Sequence, residues 1–123
     1  MKIVSRATFL AMPAGTVFSK YEPCAFGDLM VKTDTIIIAD SPSGGDFRFT
    51  SVSDAIDSYS SGDFADKLFD AADHGTSVAM DFHIQARDGD FDPGQLFAVW
   101  EKADVLGLIG RLNEAVAAAW SEE

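Results

Sequence analysis

The stretch Thr35-Ile36-Ile37-Ile38-Ala39-Asp40-Ser41-Pro42-Ser43-Gly44-Gly45-Asp46-Phe47-Arg48-Phe49-Thr50 decides the fold. Its first five residues are the most β-prone run in the chain, and their apolar character on both faces predicts a central strand. Asp40 to Asp46 is turn chemistry throughout, with proline, serine and paired glycines in succession. Phe47-Arg48-Phe49-Thr50 then alternates apolar with polar residues, as a strand with one wet face does. Two strands joined by so short a turn pair antiparallel. The sheet is therefore expected to grow by hairpins rather than through helical crossovers.

Working outward toward the N-terminus, Leu29 to Lys32 and Thr16 to Tyr21 read as further extended segments. Ser5 is placed to cap a short helix over Arg6 to Met12, which Pro13 and Gly15 stop. Toward the C-terminus, Ser53 opens a helix with Asp54 in its first turn. Ser60-Ser61-Gly62 breaks it, and a second helix runs from Asp63 to His74 with Gly75 as its C-cap. Val78, Met80, Phe82, Ile84 and Ala86 alternate with polar residues at strict period two and predict a long strand. The turn Asp88 to Gly94 leads to an adjacent strand over Leu96 to Trp100. Asp104 then caps a last helix whose buried stripe is Val105, Leu108, Ile109, Leu112, Val116, Ala119 and Trp120. The reading is one α+β domain over residues 1–123, an antiparallel sheet of about five to six strands packed with two to four helices.

The chain has 123 residues, 47% of them hydrophobic and ten of them Phe, enough for a real core. Twenty acids oppose nine bases, for a formal charge of −11. That excess is local. Residues 1–36 carry four bases and three acids, residues 37–92 three bases and twelve acids, and residues 93–123 two bases and five acids. Direct binding to nucleic acid or anionic lipid is excluded on charge, since both need a basic footprint. Cys24 is the only cysteine, so no intrachain disulfide forms, and a reducing cytoplasm is expected. No apolar run approaches a membrane span. No cofactor is expected.

The acid concentrates on one predicted helix. Asp63, Asp66, Asp70 and Asp73 fall within about 80° of arc on a helical wheel, opposite Phe64, Ala65, Leu68, Phe69 and Ala72. Asp54 and Asp57 extend the acid upstream. Like charges three and four residues apart cost a helix stability, and the ridge reads either as a solvated face of an acidic protein or as a surface that docks on a basic groove. Asp88, Asp90 and Asp92 have the D-x-D-x-D spacing that begins calcium loops, but Pro93 and Val99 stand where glycine and glutamate are required. They are weak metal candidates. Asp81 and His83 share the polar face of their predicted strand, an arrangement compatible with a base but common on wet sheets. Gly107 and Gly110 permit close approach along the last helix, and Leu108, Leu112, Val116 and Trp120 offer a surface for self-association.

The opening Ser5-Arg6-Ala7-Thr8-Phe9-Leu10-Ala11-Met12-Pro13-Ala14-Gly15-Thr16, with Lys20-Tyr21-Glu22-Pro23-Cys24, resembles the start of small uncharacterised proteins encoded by phages and prophages. That resemblance covers about a fifth of the chain and carries no catalytic motif. It implies a mobile-element setting and a host cytoplasm, where small acidic proteins inhibit host defences, anti-CRISPR proteins among them. The expected function is a non-enzymatic acidic binder. It would present Asp54, Asp57, Asp63, Asp66, Asp70 and Asp73 to a basic, nucleic-acid-binding surface of a host protein or nucleoprotein complex. The alternative is a homodimeric assembly protein acting through its last helix. A small hydrolase or metal-binding domain ranks third.

Overall fold

The computed structural model describes residues 1–121. Seven strands form one antiparallel sheet: β1 (Lys2–Val4), β2 (Val17–Glu22), β3 (Ala25–Phe26), β4 (Met30–Ile37), β5 (Gly45–Ser51), β6 (Gln85–Arg87) and β7 (Leu96–Val99). Three helices accompany them, α1 (Arg6–Leu10), α2 (Ser61–His74) and α3 (Lys102–Ala119). The spatial order is β1-β7-β2-β4-β5-β6, with two-residue β3 beside β2. The α+β class is as expected. The deciding hairpin is present, Ile37 facing Gly45 and Thr35 facing Phe47, and β4 is an interior strand. The two predicted segments, Leu29–Lys32 and Thr35–Ala39, merge into the single strand Met30–Ile37, whose register shifts between Lys32 and Thr35.

The core is aromatic. Phe9 from α1 is fully buried; it stacks on Phe97 of β7 at 4.1 Å and meets Phe18 and Phe47 at 4.6 and 4.9 Å. Met30 and Val99 complete the buried cluster. Ser5 caps α1 as expected, its hydroxyl accepting the Thr8 N–H at 3.2 Å. The helix ends at Leu10 rather than Met12, although the Met12 N–H still bonds the Phe9 carbonyl. Lys32, on β4, is buried and donates to the Met12 carbonyl at 3.0 Å, which fastens the end of this short helix to the sheet.

Gly45, at the start of β5, is a position no other residue fits. Its φ is +133°, and a Cβ there would stand 2.1 Å from the Ile36 carbonyl oxygen. Its own carbonyl accepts from Arg6 Nη2 at 2.9 Å. Gly45→Ala is expected to cost about 3 kcal/mol or more, because both neighbours are backbone and must move. A chemical-denaturation midpoint close to that of the wild type would overturn this.

Four expectations are corrected. No helix forms at Ser53; residues 52–60 are irregular, and Ile56 instead makes an isolated bridge to Met80. The long strand over Val78–Arg87 contracts to Gln85–Arg87, paired with β5, while Met80 and Phe82 stay exposed. The apolar alternation has too little partner strand to pair with. β7 is not the hairpin neighbour of β6, since it inserts between β1 and β2 at the far side of the sheet. Finally, Glu101 rather than Asp104 is the N-cap of α3. Asp104 is three residues in and its carboxylate accepts the Glu101 N–H at 2.9 Å.

Candidate functional site

The acid ridge is built on a helix that the sequence placed well. Ser60 caps α2 by accepting the Asp63 N–H at 3.0 Å, and Gly75 ends it with φ +68°. The four aspartates do not play equivalent parts. Asp63 turns inward, where its carboxylate accepts the Tyr59 N–H and pairs with Lys67 at 3.2 Å. Asp70 pairs with His74 at 3.0 Å and accepts the Thr76 hydroxyl at 2.8 Å. Asp66 and Asp73 are exposed and make no ion pair among the described residues, and the same holds for Asp54 and Asp57 upstream. The ridge therefore reduces to four free carboxylates around two that are structurally engaged. The opposite face of α2 is not core as expected. Leu68 and Phe69 are exposed, and no residue of the helix is fully buried.

α3 departs further from expectation. Periodicity predicts a buried stripe, but none of the helix's residues is buried. Leu106, Ile109, Leu112, Val116 and Trp120 are each exposed by half or slightly more. Nothing lies within 4 Å of a Cβ built on Gly107 or Gly110, so these glycines serve no close approach within the chain. Only the base of the helix is tied down. There the Met1 amino group reaches Glu101 at 3.1 Å and Asp104 at 2.6 Å, which holds the Asp104 carboxyl below the usual range. An open groove separates that base from exposed Phe26.

The loop with calcium spacing is occupied by the protein's own cations. Lys20 Nζ lies 2.6 Å from Asp88 and also contacts Asp90, where a metal would have to sit. Burial opposes the charge on Lys20, yet its hydrogen bonds to Asp88 and Asp90 outweigh this and raise its pKa above the ordinary lysine value. Asp92 accepts the Gly94 N–H at 2.9 Å and shapes the turn. No group of three or more ligating side chains occurs among the described residues. Asp81 and His83 lie outside any strand. The Asp81 carboxylate accepts the His83 backbone N–H at 2.8 Å, which is a local turn and not a contact with the imidazole.

The same loop anchors a buried ionic network that sequence reasoning missed. Arg6, 2% exposed, donates to the carbonyls of Ser43 and Gly45 and lies 3.4 Å from Asp88 and 3.8 Å from Asp46. Asp46 is fully buried; it pairs with Arg87 and accepts the Gly89 N–H. Its partners are remote in sequence, so no local pattern could have revealed them.

The charge is divided across the sheet. The near-neutral first 36 residues supply β1, β2, β3 and nearly all of β4, whereas the strongly acidic middle supplies β5 and β6 at one edge and, between them in sequence, α2. No helix among the described residues is long and apolar enough to cross a membrane. No family model matches the chain, and no curated protein or solved structure shows significant similarity to it.

Proposed function

We propose that this chain is a non-enzymatic binding protein that presents the acidic side of α2 and the segment before it to a basic surface of another protein. One observation supports this reading above the others. Several acids elsewhere are neutralised from within, Asp46 by Arg87, Asp88 by Lys20 and Asp34 by Arg48, and other unpaired acids are scattered, whereas Asp54, Asp57, Asp66 and Asp73 gather four unpaired carboxylates on α2 and the segment just before it. Four uncompensated carboxylates add self-repulsion, and a positive partner surface relieves it while speeding encounter. A nucleic-acid-binding groove has that sign. In the setting that residues 5–24 resemble, the groove belongs to a host defence complex, and occupying it excludes the nucleic acid.

The test changes all four free carboxylates together, Asp54→Asn, Asp57→Asn, Asp66→Asn and Asp73→Asn, and leaves Asp63 and Asp70 in place. Binding to a host nucleic-acid-binding protein is followed by displacement of a labelled duplex at several salt concentrations. The wild type is expected to displace DNA less well as salt rises. The quadruple variant should bind about tenfold more weakly, with a flatter salt response. Equal displacement by variant and wild type would remove the basis for the reading. A second reading, assembly through α3, is favoured by the exposure of its apolar stripe.

A further inference from the structure

From α3 we infer that the chain pairs with a second copy of itself, through a two-stranded helix-helix seam formed by Val105, Ile109, Leu112, Val116 and Ala119. The inference is independent of the acidic reading of α2.

The spacing of these residues is four, three, four and three, a heptad seam sustained for the length of the helix. Ile109 and Val116 occupy one seam position, and Val105, Leu112 and Ala119 the other. At the centre of the seam, β-branched Ile109 and Val116 flank Leu112, the local arrangement that favours two strands in parallel coiled coils. Lys102, seven residues before Ile109, takes the preceding position of the β-branched set, where a single polar residue restricts oligomer state. A helix whose apolar stripe faces water is unusual, since such a stripe ordinarily supplies the packing that keeps a helix formed.

Area and charge both point to a second copy as the occupant. Ile109, Leu112, Val116 and Trp120, each at least half exposed, leave on the order of 500 Å2 of apolar surface, against the ~800 Å2 each partner contributes to a stable interface. The polar margins of the helix supply the remainder. No charged residue lies on the stripe side between Val105 and Trp120. Arg111 and Glu114 sit on the far side, 3.9 Å from one another. Two chains of charge −11 repel over most of their surfaces, and this neutral face is where they can meet.

The salt response separates this contact from an acidic docking surface. An apolar seam between two acidic bodies tightens as salt screens their repulsion, whereas acid-to-base docking loosens. Sedimentation equilibrium of the full chain, from about 1 to about 200 µM, is expected to show a monomer–dimer equilibrium that shifts toward dimer with added salt. Leu112→Glu and Val116→Glu should each weaken association at least about tenfold. Because both positions are exposed in the single chain, neither variant should change its circular dichroism. Arg111→Glu, on the far side of the helix, should leave the dimer intact. A wild type that stays monomeric over the whole range would overturn the proposal, as would a dimer indifferent to Leu112→Glu or a trimer or tetramer. None of these outcomes bears on the Asp→Asn test, which reads binding to a different protein.

Discussion

Phe9→Ala is expected to lower the unfolding free energy by about 4 kcal/mol, within the range for emptying a buried aromatic site. The ring is fully buried and touches three others, stacked on Phe97 at 4.1 Å with planes 4° apart and tilted or edge-on to Phe18 and Phe47. α1 has only five residues and is not stable as an isolated helix. Its buried side chains are Phe9 and Arg6, so removing the ring withdraws the only apolar anchor among them. The cavity left behind is lined by rings held on β2, β5 and β7, which limits its collapse. Urea denaturation followed by far-ultraviolet circular dichroism measures the loss directly. A change below about 1 kcal/mol would mean that the neighbouring rings close the gap and that α1 is held by its polar contacts alone.

Asp46→Asn is expected to cost about 3 kcal/mol, nearly as much by a different route. The substitution keeps the size of the side chain and removes its charge. Arg6, itself buried, would then have only Asp88 at 3.4 Å as a carboxylate partner, and Arg87 would exchange its anionic partner for a neutral amide. The cost falls chiefly on buried Arg6, which loses one of its two carboxylate partners, while half-exposed Arg87 is offset by water. Acid titration gives a second readout. Burial opposes ionisation of Asp46, but the Arg87 hydrogen bond and the N–H groups of Gly89 and Phe47 outweigh it and hold the carboxyl below its ordinary range. A depressed folded pKa contributes stability above the unfolded value of about 3.9, and that stability is lost as pH falls through the folded value. The wild type should therefore weaken below about pH 4, and the variant, already weaker, should show a shallower acid limb. Parallel acid limbs would mean that Asp46 is not a principal source of that pH dependence.

The fold was legible where neighbours in sequence are neighbours in space. The turn residues Asp40 to Asp46 and the alternation of Phe47 and Phe49 gave away the β4–β5 hairpin. Ser5 and Gly75 announced helix ends because capping is a local contest for a few N–H and carbonyl groups, whereas Ser60, expected within a helix break, is the N-cap of α2. Periodicity misled at α3, since a period of 3.6 shows that a helix has an apolar side but not what lies against it. It misled again over Val78–Ile84, because a strand needs a partner edge and the pattern cannot supply one. Arg6, Lys32 and Asp46 were invisible as buried residues. Their types are normally exposed, and what permits their burial comes from distant segments or from backbone carbonyls. The candidate site was half legible. Helical geometry grouped the aspartates, but only the fold shows that Asp63 and Asp70 are already engaged.

The placement of β7 between β1 and β2 governs the order in which the molecule can be made. Lys2 pairs with Val99 and Phe9 stacks on Phe97, so β1 finds its partner strand, and Phe9 its stacked ring, only when nearly a hundred residues have been synthesised. Until then the sheet can consist only of its inner hairpins, and Phe9 has no ring from β7 to stack on. Topologies closed by such long-range pairing fold slowly, because the entropy of the loop is lost before the contact is gained. A nascent chain that stops short of Leu96 is therefore expected to remain protease-sensitive, however complete its other strands. β7, the last of these strands in sequence, locks the first into place.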